Sequence, residues 1–258
     1  MSSYQRAISK AKDILKEFDI TSPQHIEIDA IAASCGAYVH EKKIAGSSAR
    51  LVRGKSEAFI TINEDIEYSG QKRFSIAHEL GHFLLHESIN QLKNCSEEMM
   101  YQWYRTSRYE PEANAFASEL LMPSHLFSDY SRQYPIGIDT IKELASIFNT
   151  SLTATAIRYV EHGPFPCFIV LSRARQIVWF TKSHDFRFRI ISPEATIHNA
   201  SCANDYFTSG IVPESPEDLN CDVWLEEWPD NMNITLSEHA IPLPKFDSVL
   251  SLIWVTNS

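Results

Sequence analysis

Apolar residues recur along this chain in two rhythms, and the change from one to the other divides it. From Tyr4 to Phe18, residues Ala7, Ala11, Ile14, Leu15 and Phe18 fall on one helical face, and Ser22-Pro23 closes the segment. A second, short helix is predicted over Ile28 to Cys35, stopped by Gly36. Ala37-Tyr38-Val39, Ala49-Arg50-Leu51-Val52 and Ala58-Phe59-Ile60-Thr61-Ile62 read as strands, with Arg53-Gly54-Lys55-Ser56 as a turn, so a small antiparallel sheet is expected. Helical spacing returns over Arg73 to Leu85, Pro111 to Met122, Asp139 to Phe148 and Leu152 to Val160. Asn90 to Arg108 has weak periodicity and is expected to be a long surface loop. Beyond Gly163-Pro164-Phe165-Pro166 the pattern shifts to short runs rich in β-branched and aromatic residues: Cys167 to Leu171, Gln176 to Phe180 and Phe186 to Ile190. These predict a strand meander with one packed face, extended by Val223 to Leu225, Ile234 to Leu236 and Leu250 to Val255. The expected architecture is α+β: a helical domain with a small sheet over residues 1–161, then a smaller β-rich domain over 162–258.

Charge narrows the choice of partner. The 258 residues carry 33 acidic and 23 basic side chains, a net charge of −10, which disfavours a nonspecific grip on a phosphate backbone. Residues 1–161 hold 17 basic and 21 acidic groups, and 162–258 hold 6 and 12. No apolar run reaches the roughly 20 residues that span a bilayer, and the N-terminus lacks the apolar core of a signal peptide. Cys35, Cys95, Cys167, Cys202 and Cys221 are odd in number and form no C-x-x-C pair, as expected of buried thiols kept reduced. A cytoplasmic protein with no direct nucleic-acid or membrane contact is expected.

The chemistry concentrates at His78-Glu79-Leu80-Gly81-His82, an H-E-x-x-H motif inside the strongest helical segment. Positions i and i+4 lie about 40° apart on a helix, so both imidazoles leave one face and can share a tetrahedral cation. Glu79, about 100° round from His78, can meet a water activated by that cation and take its proton. Gly81 in mid-helix costs roughly 1 kcal/mol against alanine, which points to close backbone packing.

A catalytic zinc needs a third protein ligand. His86, at i+8, lies a turn too far along to join both other histidines without breaking the helix, and fits hydrogen bonding or packing better. Cys95 fits a buried thiol. The better candidates are acids in Glu110-Pro111-Glu112-Ala113-Asn114-Ala115-Phe116-Ala117-Ser118-Glu119-Leu120-Leu121-Met122-Pro123, where Pro111 suits helix position N1. Glu112 and Glu119 flank Phe116 at the edge of the apolar stripe, whereas Glu110 falls before the proline, near the cap. The order of preference from the residues alone is Glu112, Glu119, Glu110.

Residues Arg73 to His86, followed by Glu112-Ala113-Asn114-Ala115-Phe116-Ala117-Ser118-Glu119-Leu120-Leu121-Met122-Pro123, closely resemble the ImmA/IrrE family of zinc metallopeptidases, the likeness covering about residues 5–161. The resemblance implies a zincin-like, more narrowly gluzincin-like, domain with His78, His82 and Glu112 holding Zn2+ and Glu79 as general base. It also implies a protein substrate, characteristically a helix-turn-helix repressor in mobile-element or stress-response regulation.

Two features invite other readings. Residues 139–160 have helix-turn-helix spacing, but the second helix offers only Arg158 and threonines, so packing is expected rather than DNA contact. Tyr101, Trp103, Tyr104 and Tyr109 cluster between the motif helices, where a hydroxyl can serve an oxyanion or, by default, simply pack. The rival class of function is a regulatory module that holds a repressor or antitoxin without cutting it; an intact Glu79 argues against that.

Overall fold

The computed structural model describes residues 2–54, 56–86, 94–95, 109–228 and 234–257. Two compact units divide them, one gathering residues 1–126 with 145–151 and the other 127–144 with 152–258. The composition change near residue 163 therefore falls inside the second unit, and the pair of helices expected over 139–160 supplies residues to both.

In the first unit, helices α1 (Ser3–Glu17) and α2 (Ile28–Ser34) lie where apolar spacing puts them, and Gly36, at φ +83°, ends the second. Strands β1 (Ala37–Glu41), β2 (Ala49–Arg53), β3 (Ala58–Ile62) and β4 (Asn94–Cys95) form one sheet in the order β1-β3-β2-β4. The expectation of an antiparallel sheet is corrected here: β3 runs antiparallel to β2 but parallel to β1. The most apolar strand takes the central place, where both edges of its backbone are paired and Ile60 and Ile62 are buried. Helix α3 (Ser69–Leu85) begins a turn earlier than its apolar spacing suggests and packs on β2, β3 and α2. Helix α4 (Glu110–Leu121) packs on both α3 and α1. Of the expected loop 90–108, the described part is Asn94–Cys95, paired with β2.

The second unit holds α5 (Ser124–Ser131) beyond its first residues, the start of α6 (Ile138–Phe148), and α7 (Leu152–His162). Its main sheet is antiparallel throughout, in the order β6-β5-β11-β10-β8, from β5 (Cys167–Arg173), β6 (Gln176–Lys182), β8 (Glu217–Asn220), β10 (Thr235–Leu243) and β11 (Ser248–Asn257). Central strand β5 is buried from Cys167 to Ser172, which explains its continuous apolar run: α7 packs on it, and Phe168 and Val170 join a core with Trp224, Leu236 and Ile253. A small ribbon of β7 (Arg189–Ile190) and β9 (Leu225–Glu227) and helix α8 (Cys202–Ser209) add to that core. The Phe186 to Ile190 run forms strand over its last two residues alone; Phe186 packs instead on the ring of Phe168, and Phe188 on that of Phe186.

At the centre of this core sits Glu238, fully buried on β10. Its carboxylate accepts from the backbone N–H of Cys202 (3.0 Å) and Ala203 (3.1 Å), from Trp224 Nε1 (2.8 Å) and from Ser251 Oγ (2.6 Å). The first two donors open α8, whose N-terminus favours a negative charge.

Candidate metal centre

Among the described residues, α3 with its C-cap His86 and α4 carry the polar groups of the site, and Gly81 lets the helices meet. A Cβ at Gly81 would stand 3.0 Å from Phe116 Cδ1 and 3.2 Å from Ala113 Cα, so the glycine that weakens α3 is what admits α4. The C-terminal end of α3 is held by Arg53, whose Nη2 donates to the carbonyls of His82 (3.1 Å), Phe83 and His86 (3.4 Å). Its guanidinium also lies 4.7 Å from the centroid of the Phe83 ring. A cation at this end complements the helix dipole and joins the His86 N–H (3.2 Å to the His82 carbonyl) in satisfying the last carbonyls of the helix.

On the face toward α4, His78 Nε2 and His82 Nε2 stand 3.1 Å apart. The Glu110 carboxylate closes the triangle, with Oε2 3.1 Å from His78 Nε2 and Oε1 3.5 Å from His82 Nε2. All three residues are buried, and among the described residues they form a group able to hold a metal ion. Ligands bound at 2.0–2.1 Å to a tetrahedral ion stand about 3.3 Å from one another. The donor set is therefore spaced, and chemically suited, for a zinc-sized divalent cation.

The Glu110 position departs from the order of preference drawn from the residues. Tyr109 takes the cap, Glu110 is the first helical residue, and Pro111 sits one place later than expected, so Glu110 rides on the helix and turns inward. Glu112 is placed elsewhere: its Oε2 lies 3.0 Å from His86 Nε2. Glu119 is buried at the far end of α4, where it accepts from the N–H (3.2 Å) and hydroxyl (3.0 Å) of Ser124 and so caps the next helix. Glu79 is buried beside His78.

Two contacts fix the imidazoles from behind. His78 Nδ1 lies 2.9 Å from Asn114 Oδ1, and His82 Nδ1 lies 3.1 Å from His86 Nδ1. Asn114 was not singled out by sequence reasoning, although its place four residues after Glu110 puts both on one face of α4. His86 takes the hydrogen-bonding role expected of it, with the ring of Tyr109 4.7 Å away. Tyr101, Trp103, Tyr104 and the side chain of Cys95 lie outside the described residues. Arg158 on α7 is buried and ion-paired with Glu161 at 3.6 Å.

Electrostatics follow from burial and the neighbouring carboxylates. Burial draws the His78 imidazolium down, but its hydrogen bond to Glu110 and the charges of Glu79 and Glu110 outweigh that and hold it above the usual range. His82 is pulled down to about 4 by burial, with the neighbouring His78 and His86 adding to the effect against Glu110. Glu110 loses solvation on burial, yet its bonds to the two histidines keep it well below the usual carboxylate range. Glu110 thus remains an anion, as a ligand to a cation must be.

Residues 32–159 match the Peptidase M78 family model described as the IrrE N-terminal-like domain. Over these residues the chain belongs to the ImmA/IrrE family. One relative is the "Metallopeptidase ImmA" of Bacillus subtilis (strain 168), 30% identical over 115 residues, which are 44% of this chain and 62% of the relative. Another is the "Uncharacterized immunity region protein 2" of Bacillus phage phi105, 36% identical over 76 residues, 30% of this chain and 45% of the relative. The alignments thus span less than two thirds of either relative's length. Among solved structures, a "Mycobacterium tuberculosis transcriptional regulator" superposes with a TM-score of 0.61 at 14% identity, covering 97% of this chain and 76% of the other, which is a likeness of fold. In this ImmA/IrrE chain, no described helix is long and apolar enough to cross a membrane, and Cys35, Cys167, Cys202 and Cys221 are free thiols.

Proposed function

We propose that this chain is a zinc-dependent endopeptidase in which His78, His82 and Glu110 hold the metal and Glu79 is the general base. The supporting observation is the triangle of His78 Nε2, His82 Nε2 and a Glu110 oxygen, spaced for a tetrahedral ion, with a buried carboxylate at the adjacent position 79. A bound zinc ion supplies Lewis acidity for the scissile carbonyl and for water. The protein supplies the rest. Asn114 and His86 fix the two imidazoles, Glu110 contributes the anionic ligand, and the Glu79 carboxylate accepts the proton of the attacking water and returns it to the departing amine.

The substrate in this reading is a protein, a helix-turn-helix repressor of a phage or other mobile element, cut in the cytoplasm. Similarity to a metallopeptidase and to a phage immunity-region protein supports that class. Residues 162–258, more acidic and differently patterned, serve within the second compact unit as a sensing or docking element.

The test is metal content alongside cleavage of a co-expressed candidate repressor. Glu79→Gln should keep zinc and lose about 10²- to 10⁴-fold in rate, whereas His78→Ala and Glu110→Gln should lose metal and cleavage together. Undiminished cleavage by Glu79→Gln refutes the mechanism.

A further inference from the structure

From the contacts behind His82 we infer that Glu112 and His86 are positioning residues: a two-link hydrogen-bonded chain that fixes which nitrogen of His82 faces the metal. The inference rests on the ligand set proposed above. A metal-binding imidazole needs a lone pair on the nitrogen facing the ion and therefore carries its proton on the other. For His82 the inward atom is Nε2, 3.1 Å from His78 Nε2, so Nδ1 bears the hydrogen and donates to His86 Nδ1 at 3.1 Å. Accepting at Nδ1 leaves His86 with its own proton on Nε2, and that group donates to Glu112 Oε2 at 3.0 Å. Each link admits one arrangement only, and the carboxylate, which can only accept, sets the direction of the whole chain.

Burial makes the arrangement exclusive. His86 is 4% exposed and the Glu112 side chain 12%, so water does not readily replace either partner. The spacing in sequence has a matching logic. Glu110, Glu112 and Asn114 occupy alternate positions at the start of α4 and address, respectively, the two inward nitrogens, His86, and His78 Nδ1. His78, His82 and His86 occupy every fourth position of α3 and its C-cap. A histidine at i+8 that cannot reach the ion is thereby given work: it carries the influence of an acid that also does not reach the ion.

The experiment is Zn2+ and Co2+ affinity of the full chain by competition with a chelating indicator, together with the visible absorption of the Co2+ form, which reports the atoms bound to the ion. Glu112→Ala and His86→Phe should each weaken binding by about 10- to 100-fold. The double variant should lose no more than His86→Phe alone, since either change cuts the same chain. Glu112→Gln, whose amide oxygen still accepts from His86, should recover part of the loss and serves as the mild variant if the others fold poorly. In all of these the Co2+ band shape should stay that of the wild type, while Glu110→Gln alters it. Affinities within twofold of wild type in Glu112→Ala and His86→Phe, or losses that add in the double variant, overturn the chain and leave the ligand set standing. A changed Co2+ spectrum in Glu112→Gln with an unchanged one in Glu110→Gln overturns the ligand set itself.

Discussion

Replacing Gly81 by alanine sets two effects of opposite sign against each other at the crossing of α3 and α4. In an isolated helix the change stabilises by about 1 kcal/mol, because glycine gives up the most backbone freedom on folding. Here the new methyl would sit 3.0 Å from Phe116 Cδ1 and 3.2 Å from Ala113 Cα. The Phe116 ring is wholly buried and the Ala113 atom is backbone, so neither can swing aside as a flexible side chain would. Overpacking of this kind costs about 1–3 kcal/mol. The net expectation is a loss of up to about 2 kcal/mol, centred near 1 kcal/mol, seen as a lower urea midpoint of the metal-free protein with an unchanged slope. The relief must come from the helices parting by a few tenths of an ångström, and that parting carries Glu110 away from His78 and His82. Restoring the spacing on metal binding then uses about 1 kcal/mol of binding energy, or about fivefold in Kd. Urea unfolding and Zn2+ competition on Gly81→Ala measure both quantities. A variant more stable than wild type by about the propensity gain, with the same metal affinity, would show that the crossing has slack and that Gly81 is not what admits α4.

Three further outcomes follow from contacts elsewhere. Arg53→Met removes the cation from the end of α3 and its bonds to the carbonyls of His82, Phe83 and His86; urea unfolding should show a loss of about 1–2 kcal/mol, and an unchanged midpoint would contradict the capping role. Trp224→Phe deprives the buried Glu238 carboxylate of its indole donor and should cost about 1–3 kcal/mol; adding Glu238→Gln should recover part of it, and strictly additive losses would count against a coupled pair. His239 accepts the N–H of Ile138 at Nδ1 (3.1 Å), and burial lowers its pKa from 6.5 against the opposing charge of Asp139. The folded chain therefore binds that proton less readily than the unfolded chain, so the stabilisation is present above 6.5 and is lost as pH falls below it. His239→Asn, with an oxygen acceptor that does not titrate, should flatten the fall in melting temperature between about pH 7 and pH 5; an identical fall in both proteins would exclude His239 as its source.

Periodicity carried most of the elements because most of them bury one face. Helices over residues 3–17, 28–34 and 110–121 stand within a residue of their apolar spacing. What it did not carry has physical reasons. Strand β8, Glu217-Asp218-Leu219-Asn220, is a largely exposed edge strand with no apolar face to betray it. The parallel pairing of β1 with β3 depends on which strand takes the centre, a competition among all the strands rather than a property of any one. At the site, the H-E-x-x-H spacing assigns His78 and His82 to one helix face with Glu79 about 100° round from His78, but the choice among Glu110, Glu112 and Glu119 turns on where α4 begins. A shift of one residue in the cap moves Glu110 from flanking chain to the first helical turn and changes which acid faces the histidines. Glu238 leaves a fainter trace, a lone acid in the run Leu236 to Ile241, whose four donors come from three distant stretches of chain.

The polar atoms that address one another between α3 and α4 lie in two short stretches, residues 78–86 and 110–114. The centre is in that sense portable. Set on any two helices that cross at a glycine, with the same nine and five positions in register, these side chains bring along both the donor triangle and the bonds that orient it. A protein engineer who discards the sheet would then have to replace only the hold that Arg53 of β2 has on the end of α3.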